Sequence, residues 1–433
     1  MSCSELAGLG SMAIPKVRKP IMMKYSILIP TRNGGEYVTS VVRTVLDQPF
    51  DSVEVVVSVN HSTDDTEKRL SEIKDHRLRI IRPPCLLSMT THFEWILKAA
   101  EGEWIAIIGD DDGVMPYFFD VLEQITDKPA NNGLQIIRSR RAYFSWAKDP
   151  QGLGAFSYRL SNEAKVRNIK RTFWKVLCGL GDHHDLPQLY SGSIVKSSLV
   201  EKICRDSGGT FFRDLIPDIY SSVALMSAAD KYLDIGIPLF WTGTSPKSNG
   251  TAFTKQIVNK DVVGLLSSEF YTLAAQEKFP DAEVFDNKFL ITNFSSSILL
   301  CSAFLNQPGY DKKNHDSAII YSAFSGTLAA GVVAALTRLV RLPLPIASLS
   351  ISSQAIKSKA IELDMSSALL FGLKWFLVPI HIGYYCFRIL SRLFSFRIIR
   401  LTSTESGNVR TVNDANKLVE ESYLGSGLGK FPD

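Results

Sequence analysis

The sequence has little excess charge and no cysteine spacing typical of a metal site. Its 433 residues carry 48 Lys and Arg against 44 Asp and Glu, a formal net charge of +4. So small an excess argues against a dedicated nucleic-acid binder, because it creates no strong phosphate-attracting field. The six cysteines are scattered and none forms a C-x-x-C pair, so the sequence indicates neither a zinc site nor a disulfide framework. A reducing, cytoplasmic setting is therefore the default expectation.

The start of the chain also lacks the pattern of a secretory signal. In residues 1–23 the charged side chains of Lys16, Arg18 and Lys19 follow the mildly apolar stretch instead of preceding it. We expect this leader to be disordered and exclude it from fold reasoning. The remaining chain has ordinary globular composition, 45% hydrophobic and 21% charged, and a length that suggests roughly two to three domains.

From residue 24 to about 127, apolar runs of strand length alternate with segments of helical periodicity. Repeated β-α-β units predict an α/β fold, with a mostly parallel sheet covered by helices on both faces. The carboxyl ends of such strands lie at one edge of the sheet, where ligands bind. We therefore expect three polar clusters to converge there: Thr31–Gly35, Asn60–Asp65 and Asp110–Asp112.

Three adjacent aspartates, Asp110, Asp111 and Asp112, follow the fourth predicted strand. Neighbouring carboxylates at the end of a buried strand repel one another, which raises their pKa values unless they are solvated or paired. A divalent cation such as Mg²⁺ or Mn²⁺ relieves that repulsion and accepts carboxylate, phosphate and water oxygens as ligands. A solvated acidic turn is the alternative, but the position at the ligand edge favours metal-assisted phosphate chemistry.

Three segments between Tyr25 and Pro116 resemble glycosyltransferase family 2, a family of inverting enzymes with the GT-A fold. They are SILIPTRN at 26–33, VVVSVNHSTDDT at 55–66 and EGEWIAIIGDDDGVMP at 101–116. The resemblance implies a Rossmann-like half that binds a nucleotide-sugar at 24–127 and an acceptor-binding half at 128–255. It also implies Mg²⁺ or Mn²⁺ as cofactor and a nucleoside-diphosphate sugar as donor.

The resemblance assigns nucleotide-binding roles to the first two loops. Thr31, Arg32 and Asn33 occupy the loop that holds the base and diphosphate in this family, although a tight turn built on glycines would explain the same residues. Asn60 stands where the family usually has an acidic residue, and its amide can hydrogen-bond a base edge.

The resemblance also implies a separate role for each of the three aspartates. Asp111 falls on the metal-ligand position, and Asp110 on the position that meets the ribose or the shell of the metal. Asp112 is expected to help hold the metal by orienting Asp111 or a bound water. Gly109 stands where many family members carry a further aspartate.

Two residues further along the chain complete the predicted site. Asp218 matches the second acidic motif of the family and is expected to act as general base. A helix start with Pro217 in its first turn is the alternative, and Asp214 is the reserve candidate. Lys247 is expected to neutralise the leaving diphosphate, with a turn fixed by Asn249–Gly250 as the alternative.

Beyond residue 255 the sequence predicts a mainly helical region. Residues 256–360 read as a helical unit, 361–406 as hydrophobic and amphipathic helices, and 407–433 as a polar tail. After residue 387, arginines alternate with aromatic and aliphatic residues, which suits an anionic membrane surface. A helix docked on the catalytic domain is the alternative.

The sequence as a whole predicts a metal-dependent inverting glycosyltransferase that acts on a hydroxyl acceptor. By family analogy, a glycan or lipid-linked acceptor at the inner face of the cell membrane is expected, as in cell-surface polysaccharide biosynthesis. The predicted partners include the membrane surface but no nucleic acid. Two alternatives remain: a metal-dependent nucleotidyltransferase on a related sheet, and a non-catalytic membrane-bound adaptor with the same fold.

Overall fold

One mixed β-sheet organises the chain. The computed structural model describes residues 23–147, 154–161, 163–248, 272–273, 296–308, 319–320, 322–325, 327–329, 373–384, 399–402 and 409–426. The strands are β1 Tyr25–Thr31, β2 Val53–Val59, β3 Leu78–Ile81, β4 Trp104–Ile107, β5 Gly113–Val114, β6 Ile136–Ser145, β7 Ala155–Leu160, β8 Ala164–Asn168, β9 Ser193–Lys196, β10 Lys231–Thr244 and β11 Ile399–Thr402. The helices are α1 Gly35–Leu46, α2 Thr66–Ser71, α3 Met89–Leu97, α4 Phe118–Thr126, α5 Ile169–Leu177, α6 Ser197–Asp206, α7 Pro217–Ala228, α8 Ser296–Leu305 and α9 Val412–Ser426.

The first four strands form the parallel part of the sheet. They lie in the order β3-β2-β1-β4 and every neighbouring pair is parallel. All residues of β1 and β2 are buried, as expected for strands covered on both faces. Because the strands are parallel, the loops that follow β1, β2 and β4 leave the sheet at the same edge.

Alternate side chains of β1 enter two separate hydrophobic cores. Ile27 and Ile29 belong to a core shared with α1, α4 and α9, whereas Leu28 belongs to one shared with α3, α5 and α7. Successive side chains of a strand point to opposite faces, so the two cores lie on opposite faces of the sheet. The predicted α/β architecture with helices on both faces is confirmed.

Beyond β4 the pairing becomes mixed. β9 is antiparallel to both β4 and β6, and β6 is parallel to β10. The 14-residue strand β10 also pairs antiparallel with β5 and β8. Its C-terminal end therefore lies beside β5, next to the loop that follows β4, and this position brings residues beyond 240 to the candidate site.

The structure corrects the predicted polar tail at 407–433. Residues Val412–Ser426 form helix α9, and its Val412, Ala415 and Val419 are buried in the core that contains α1. Asn416 accepts a hydrogen bond from Trp241 Nε1 at 2.7 Å. The prediction was wrong because the polar composition of the segment hid a short apolar stripe with helical spacing.

The region predicted as membrane-associating helices, 361–406, is described only in part. Residues 373–384 are helical, but Ile399–Thr402 is a strand that pairs antiparallel with β7. That strand corrects the prediction, since β7 provides backbone partners that the sequence alone does not reveal. Within the described part of the chain, no helix combines the length and apolar character needed to cross a bilayer. The remainder of 361–406, most of 256–360 and the leader at 1–22 lie outside the described residues.

The cysteines follow the sequence prediction only in part. Cys178, Cys204 and Cys301 are thiols that are not part of a disulfide bond. Cys85 is disulfide-bonded, which departs from the expectation of fully reduced cysteines.

Candidate active site

The loops after β1, β2 and β4 meet at one edge of the sheet. Thr31 Oγ1 donates a hydrogen bond to Asp110 Oδ2 at 2.6 Å, which joins the first loop to the aspartates. Arg32 Nη1 donates to the backbone carbonyls of Asn60 at 2.9 Å and His61 at 2.7 Å, which joins the first loop to the second. The predicted convergence of the three loops is therefore present in the structure.

Asn33 is the centre of this loop network. Its backbone N–H donates to Ser62 Oγ at 2.9 Å, and its side-chain Oδ1 accepts from the backbone N–H of Thr63 at 2.7 Å. The backbone of Asn33 has φ = 56°, a left-handed conformation that asparagine tolerates better than most residues. These bonds give Asn33 a structural function in the site that does not depend on a nucleotide.

Lys247 reaches the same loops from the segment that follows β10. Its Nζ donates to the carbonyl oxygen of Asn33 at 3.1 Å and lies 3.6 Å from Asp64 Oδ2. The Lys247 side chain is 56% exposed, so most of its ammonium group remains accessible to solvent. The structure thus places this predicted phosphate-binding lysine at the edge that carries the three loops.

Asn60 occupies a different position from the one predicted. Its side chain is buried, its Nδ2 donates to the carbonyl of Leu87 at 2.8 Å, and its Oδ1 accepts from the backbone N–H of Leu87 at 3.0 Å. The amide therefore fastens the loop after β3 instead of facing an open pocket for a base. Sequence reasoning could not show this, because Leu87 is distant in the chain.

Asp112 anchors the aspartate loop. Its Oδ2 accepts from the backbone N–H of Gly109 at 2.7 Å and from the Ser191 hydroxyl, and its Oδ1 accepts from the backbone N–H of Gly243 at 2.6 Å. Both oxygens are thus engaged and the side chain is only 2% exposed. The carboxylate therefore fixes the loop to β10, and the expectation that Asp112 orients Asp111 or a bound water stays a prediction.

Asp110 is partly buried and Asp111 is buried. Asp111 Oδ2 accepts from the backbone N–H of Ser245 at 2.9 Å, and burial raises its pKa. Burial, reinforced by the charge of Asp111, raises the pKa of Asp110 to about 7. Among the described residues, no lysine, arginine or histidine forms an ion pair with Asp110, Asp111 or Asp112. A buried set of carboxylate oxygens with no cationic partner fits a hard divalent cation.

Asp218 lies at the first turn of α7, directly after Pro217. Its Oδ1 is buried and has no hydrogen-bond partner among the described residues. Its charge, together with those of Asp110, Asp111 and Asp112, raises the pKa of the buried Tyr190 hydroxyl beyond the effect of burial itself. Asp218 therefore faces the same tyrosine as the aspartate loop, although it is more than 100 residues away in the chain.

Asp214, the reserve candidate, contacts another part of the molecule. Its Oδ2 accepts from Asn306 Nδ2 at 2.9 Å and from Ser302 Oγ at 3.4 Å. Burial raises the pKa of Asp214 to about 6. These partners belong to α8 and the residue after it, so Asp214 contributes to the helical packing.

Sequence reasoning missed Tyr190 and Arg141. A Cβ atom at position 109 would lie 2.7 Å from the Tyr190 hydroxyl, so Gly109 leaves the space that Tyr190 occupies. Arg141 Nη2 donates to Gln188 Oε1 at 2.5 Å. Burial lowers the pKa of Arg141, while the negative charges of Asp218 and Asp112 oppose that shift. Neither residue belongs to a local motif, because non-local pairing of β6 and β9 brings them to the site.

Asp182, His183 and His184 form a second polar group beside the site. Their ligand atoms all lie within 4.8 Å of one another, and His184 Nδ1 is 2.6 Å from Asp182 Oδ1. Burial lowers the pKa of His184 to about 3, and the charge of Arg141 acts in the same direction. The three residues could in principle ligate a metal, but the hydrogen bonds in the structure serve to cap the short turn at His183–Asp185.

Comparison with known proteins defines the class of the domain. Residues 26–181 match the family model described as Glycosyl transferase family 2. This part of the chain is therefore a family 2 glycosyltransferase domain, and the resemblance seen in the sequence motifs is confirmed. The matched range contains the three converging loops, Asp110 to Asp112 and Arg141.

The chain is also similar to two curated bacterial proteins. It is 26% identical over 122 residues to the UDP-Glc:alpha-D-GlcNAc-diphosphoundecaprenol beta-1,3-glucosyltransferase WfaP of Escherichia coli, and 25% identical over 109 residues to the glycosyltransferase GlyG of Streptococcus pneumoniae serotype 4. The matches cover 28% and 24% of this chain and 44% and 36% of those proteins. They thus span less than half the length of either relative.

Several solved structures align with most of the chain at low scores. Staphylococcus aureus TarS 1–349 in complex with UDP-GlcNAc gives a TM-score of 0.44 at 14% identity, covering 81% of this chain and 90% of that one. The mannosyltransferase PcManGT from Pyrobaculum calidifontis, in complex with GDP-Man and Mn²⁺, gives 0.39 at 14% identity, covering 79% and 87%. The fold assignment therefore rests on the sheet topology and the family match.

Proposed function

We propose that this protein transfers a sugar from a nucleoside-diphosphate sugar to a hydroxyl acceptor, with inversion of configuration and with the help of Mg²⁺ or Mn²⁺. The observation that carries the proposal is the arrangement of carboxylates around Tyr190. Asp110, Asp111 and Asp112 have no cationic partner among the described residues, and the buried Oδ1 of Asp218 has no hydrogen-bond partner there; all four carboxylates lie near enough to Tyr190 for their charges to act on its hydroxyl. Family membership supports sugar transfer as the chemistry.

Asp110 and Asp111 are the residues that would hold the divalent cation. When bound there, the cation supplies a positive charge that stabilises the departing diphosphate. Lys247, which is largely accessible, adds a second positive charge at the same edge. Thr31, Arg32 and Asn33 fix the shape of the donor loop through their bonds to the other two loops.

Asp218 is proposed as the general base on the acceptor side. Its Oδ1 has no competing hydrogen bond and is therefore available for the acceptor hydroxyl. As the hydroxyl oxygen attacks the anomeric carbon, Asp218 removes its proton, and the bond to the diphosphate breaks on the opposite face. This direct displacement inverts the anomeric carbon and requires no covalent sugar–enzyme intermediate.

The proposed setting is bacterial cell-surface polysaccharide biosynthesis, with a glycan or lipid-linked acceptor. WfaP, a partial relative, is named for a UDP-glucose donor and a diphosphoundecaprenol-linked acceptor. In the sequence, the arginines and apolar residues between positions 388 and 397, which precede the strand Ile399–Thr402, suit attachment to an anionic membrane surface. We therefore propose a peripheral location on the inner face of the cell membrane.

Turnover of a panel of nucleoside-diphosphate sugars with Mg²⁺, Mn²⁺ or EDTA tests the proposal. With an active donor, Asp218→Asn should lower kcat by about 10²- to 10⁴-fold, because the amide cannot accept the proton. Asp230→Asn is the matched control, since Asp230 is an exposed residue that follows the other end of α7 and pairs with Lys170. Full activity of the Asp218→Asn variant would contradict the assignment of the base. Release of pyrophosphate with nucleotidyl transfer would contradict the reaction type.

A further inference from the structure

A group of basic side chains lies on the acceptor half of the domain, outside the site described above. Arg138 and Arg140 project from β6, and Lys165 and Arg167 from β8; we call these four residues the basic cluster. They line a small cavity together with Glu163 and Asp234. Both β6 and β8 pair with β10, so a continuous sheet supports the cluster.

The cluster carries more positive charge than its carboxylates can neutralise. Asp234 is shared, since one of its oxygens pairs with Arg138 and the other with Arg167. Lys165 Nζ lies 3.4 Å from Glu163 Oε2, and both side chains are well exposed. Four cationic groups therefore face two carboxylates, and the cavity retains a net positive charge.

Arg140 is the basic residue whose guanidinium group has no hydrogen-bond or ion-pair partner among the described residues. It is partly buried and lines the cavity with Arg138 and Arg167. Burial lowers the pKa of Arg140; the charges of Asp234 and Glu163 oppose this shift, whereas those of Arg138 and Arg167 act in the same direction as burial. Holding a guanidinium group in this position costs free energy, which a bound anion would offset.

The basic cluster is connected to the candidate active site through the turn at His183–Asp185. Arg138 Nε donates to the carbonyl oxygen of His184 at 3.1 Å. The His184 ring in turn lies close enough to Arg141 for their charges to interact, and Arg141 interacts with Asp218. A group bound at the cluster would therefore lie beside the turn at His183–Asp185, whose His184 is near Arg141.

We propose that the basic cluster binds a phosphate or diphosphate group, with Arg140 as its main ligand. Arginine presents parallel N–H donors that match phosphate oxygens, and the guanidinium of Arg140 has no other partner to release. The anion site follows from the geometry of the cluster alone. Its assignment to a phosphate-bearing acceptor rests in addition on the proposed function.

Calorimetric titration of the full-length protein with inorganic pyrophosphate in EDTA tests the anion site. Removing metal weakens diphosphate binding at the aspartates and leaves the basic cluster as the principal site. Arg140→Gln should bind pyrophosphate at least about tenfold more weakly than the wild type, as expected for loss of a charge-assisted contact. Arg171→Gln is the matched control, because Arg171 is an exposed arginine on the neighbouring helix α5 and should leave affinity unchanged.

Two further arms separate this site from other sources of anion binding. If Lys247→Gln, and not Arg140→Gln, abolishes pyrophosphate binding, the anion occupies the donor loops and the proposal is overturned. If Arg140 affects only co-sedimentation with phosphatidylglycerol vesicles, the cluster recognises a lipid headgroup and the diphosphate proposal is also overturned. The melting temperature of Arg140→Gln without ligand should match or exceed that of the wild type, because a repelled charge is removed. Because this titration measures binding without turnover, a negative result would overturn the anion site but not the transferase proposal, which the turnover assay tests separately.

Discussion

Replacing Asn416 with alanine tests how helix α9 is held against the sheet. Asn416 is 8% exposed and makes two buried hydrogen bonds, accepting from Trp241 Nε1 at 2.7 Å and donating to the carbonyl of Val114 at 3.0 Å. Alanine leaves both partners buried, and Trp241 is completely inaccessible to solvent. Each buried polar group left without a partner costs about 1–3 kcal/mol, so we expect the loss of both bonds to cost roughly 2–6 kcal/mol.

Amide hydrogen exchange measures this loss of stability locally, at the amides of α9. A global unfolding curve is less suitable, because it is hard to interpret for so long a chain. Protection of the α9 amides should fall by on the order of 10²-fold, because about 1.4 kcal/mol corresponds to tenfold in an equilibrium constant. Asn413→Ala is the matched control on the same helix. It removes one bond, from Asn413 Nδ2 to the carbonyl of Ser40, at a partly exposed position where water can replace it. That variant should lose less than about 1 kcal/mol. Equal protection in the two variants would refute the role given to the buried pair.

Three other perturbations follow from the same geometry. Burial lowers the pKa of His92 to about 3, so the folded state stays neutral while the unfolded state takes up a proton below about pH 6.5. The contribution of His92 to stability should therefore fall by about 2 kcal/mol between pH 7 and pH 5, measured as the difference in pH dependence between the wild type and His92→Asn; the exposed control His76→Asn should show no such difference. Asp111→Asn should abolish transfer. Its melting temperature at pH 8 should match or exceed that of the wild type, because burial raises the pKa of Asp111 and makes its charged form unfavourable in the folded state. A lower melting temperature would contradict this. Gly109→Ala should destabilise the folded protein by about 1–3 kcal/mol, since the added Cβ would lie 2.7 Å from the Tyr190 hydroxyl. The control Gly133→Ala should be nearly neutral, because there is open space around its Cβ position. Equal melting temperatures of the two variants would show that the loop can move aside.

The parallel half of the domain was predictable because its signals are local. The β-branched runs that become β1 and β2, the helical spacing between them and the polar residue types after each strand all lie within short windows. Parallel β-α-β units leave few topologies, so the convergence of Thr31, Asn33 and Asp110 follows from the order of the elements. The three family segments added the class of the domain.

Residues whose function depends on distant partners were not predictable in the same way. Asn60 was expected to face a base, but Leu87 takes up its amide. Asp112 was expected to orient Asp111 or a bound water, and its motif did not reveal that Ser191 and Gly243 bond its oxygens. In both cases the residue type was informative about polarity, while the partner was decided by contacts across the fold.

The amino-acid sequence by itself determined the class of the domain, its parallel sheet and the edge at which the acidic residues gather, because each depends on periodicity and residue type over short distances. Tertiary structure alone decided that Tyr190 and Arg141 lie among those acids, that Asp218 and not Asp214 faces them, and that α9 packs on the sheet. The physical reason is that burial and long-range pairing set the partners of a polar side chain, and neither quantity can be read from neighbouring residues in the chain.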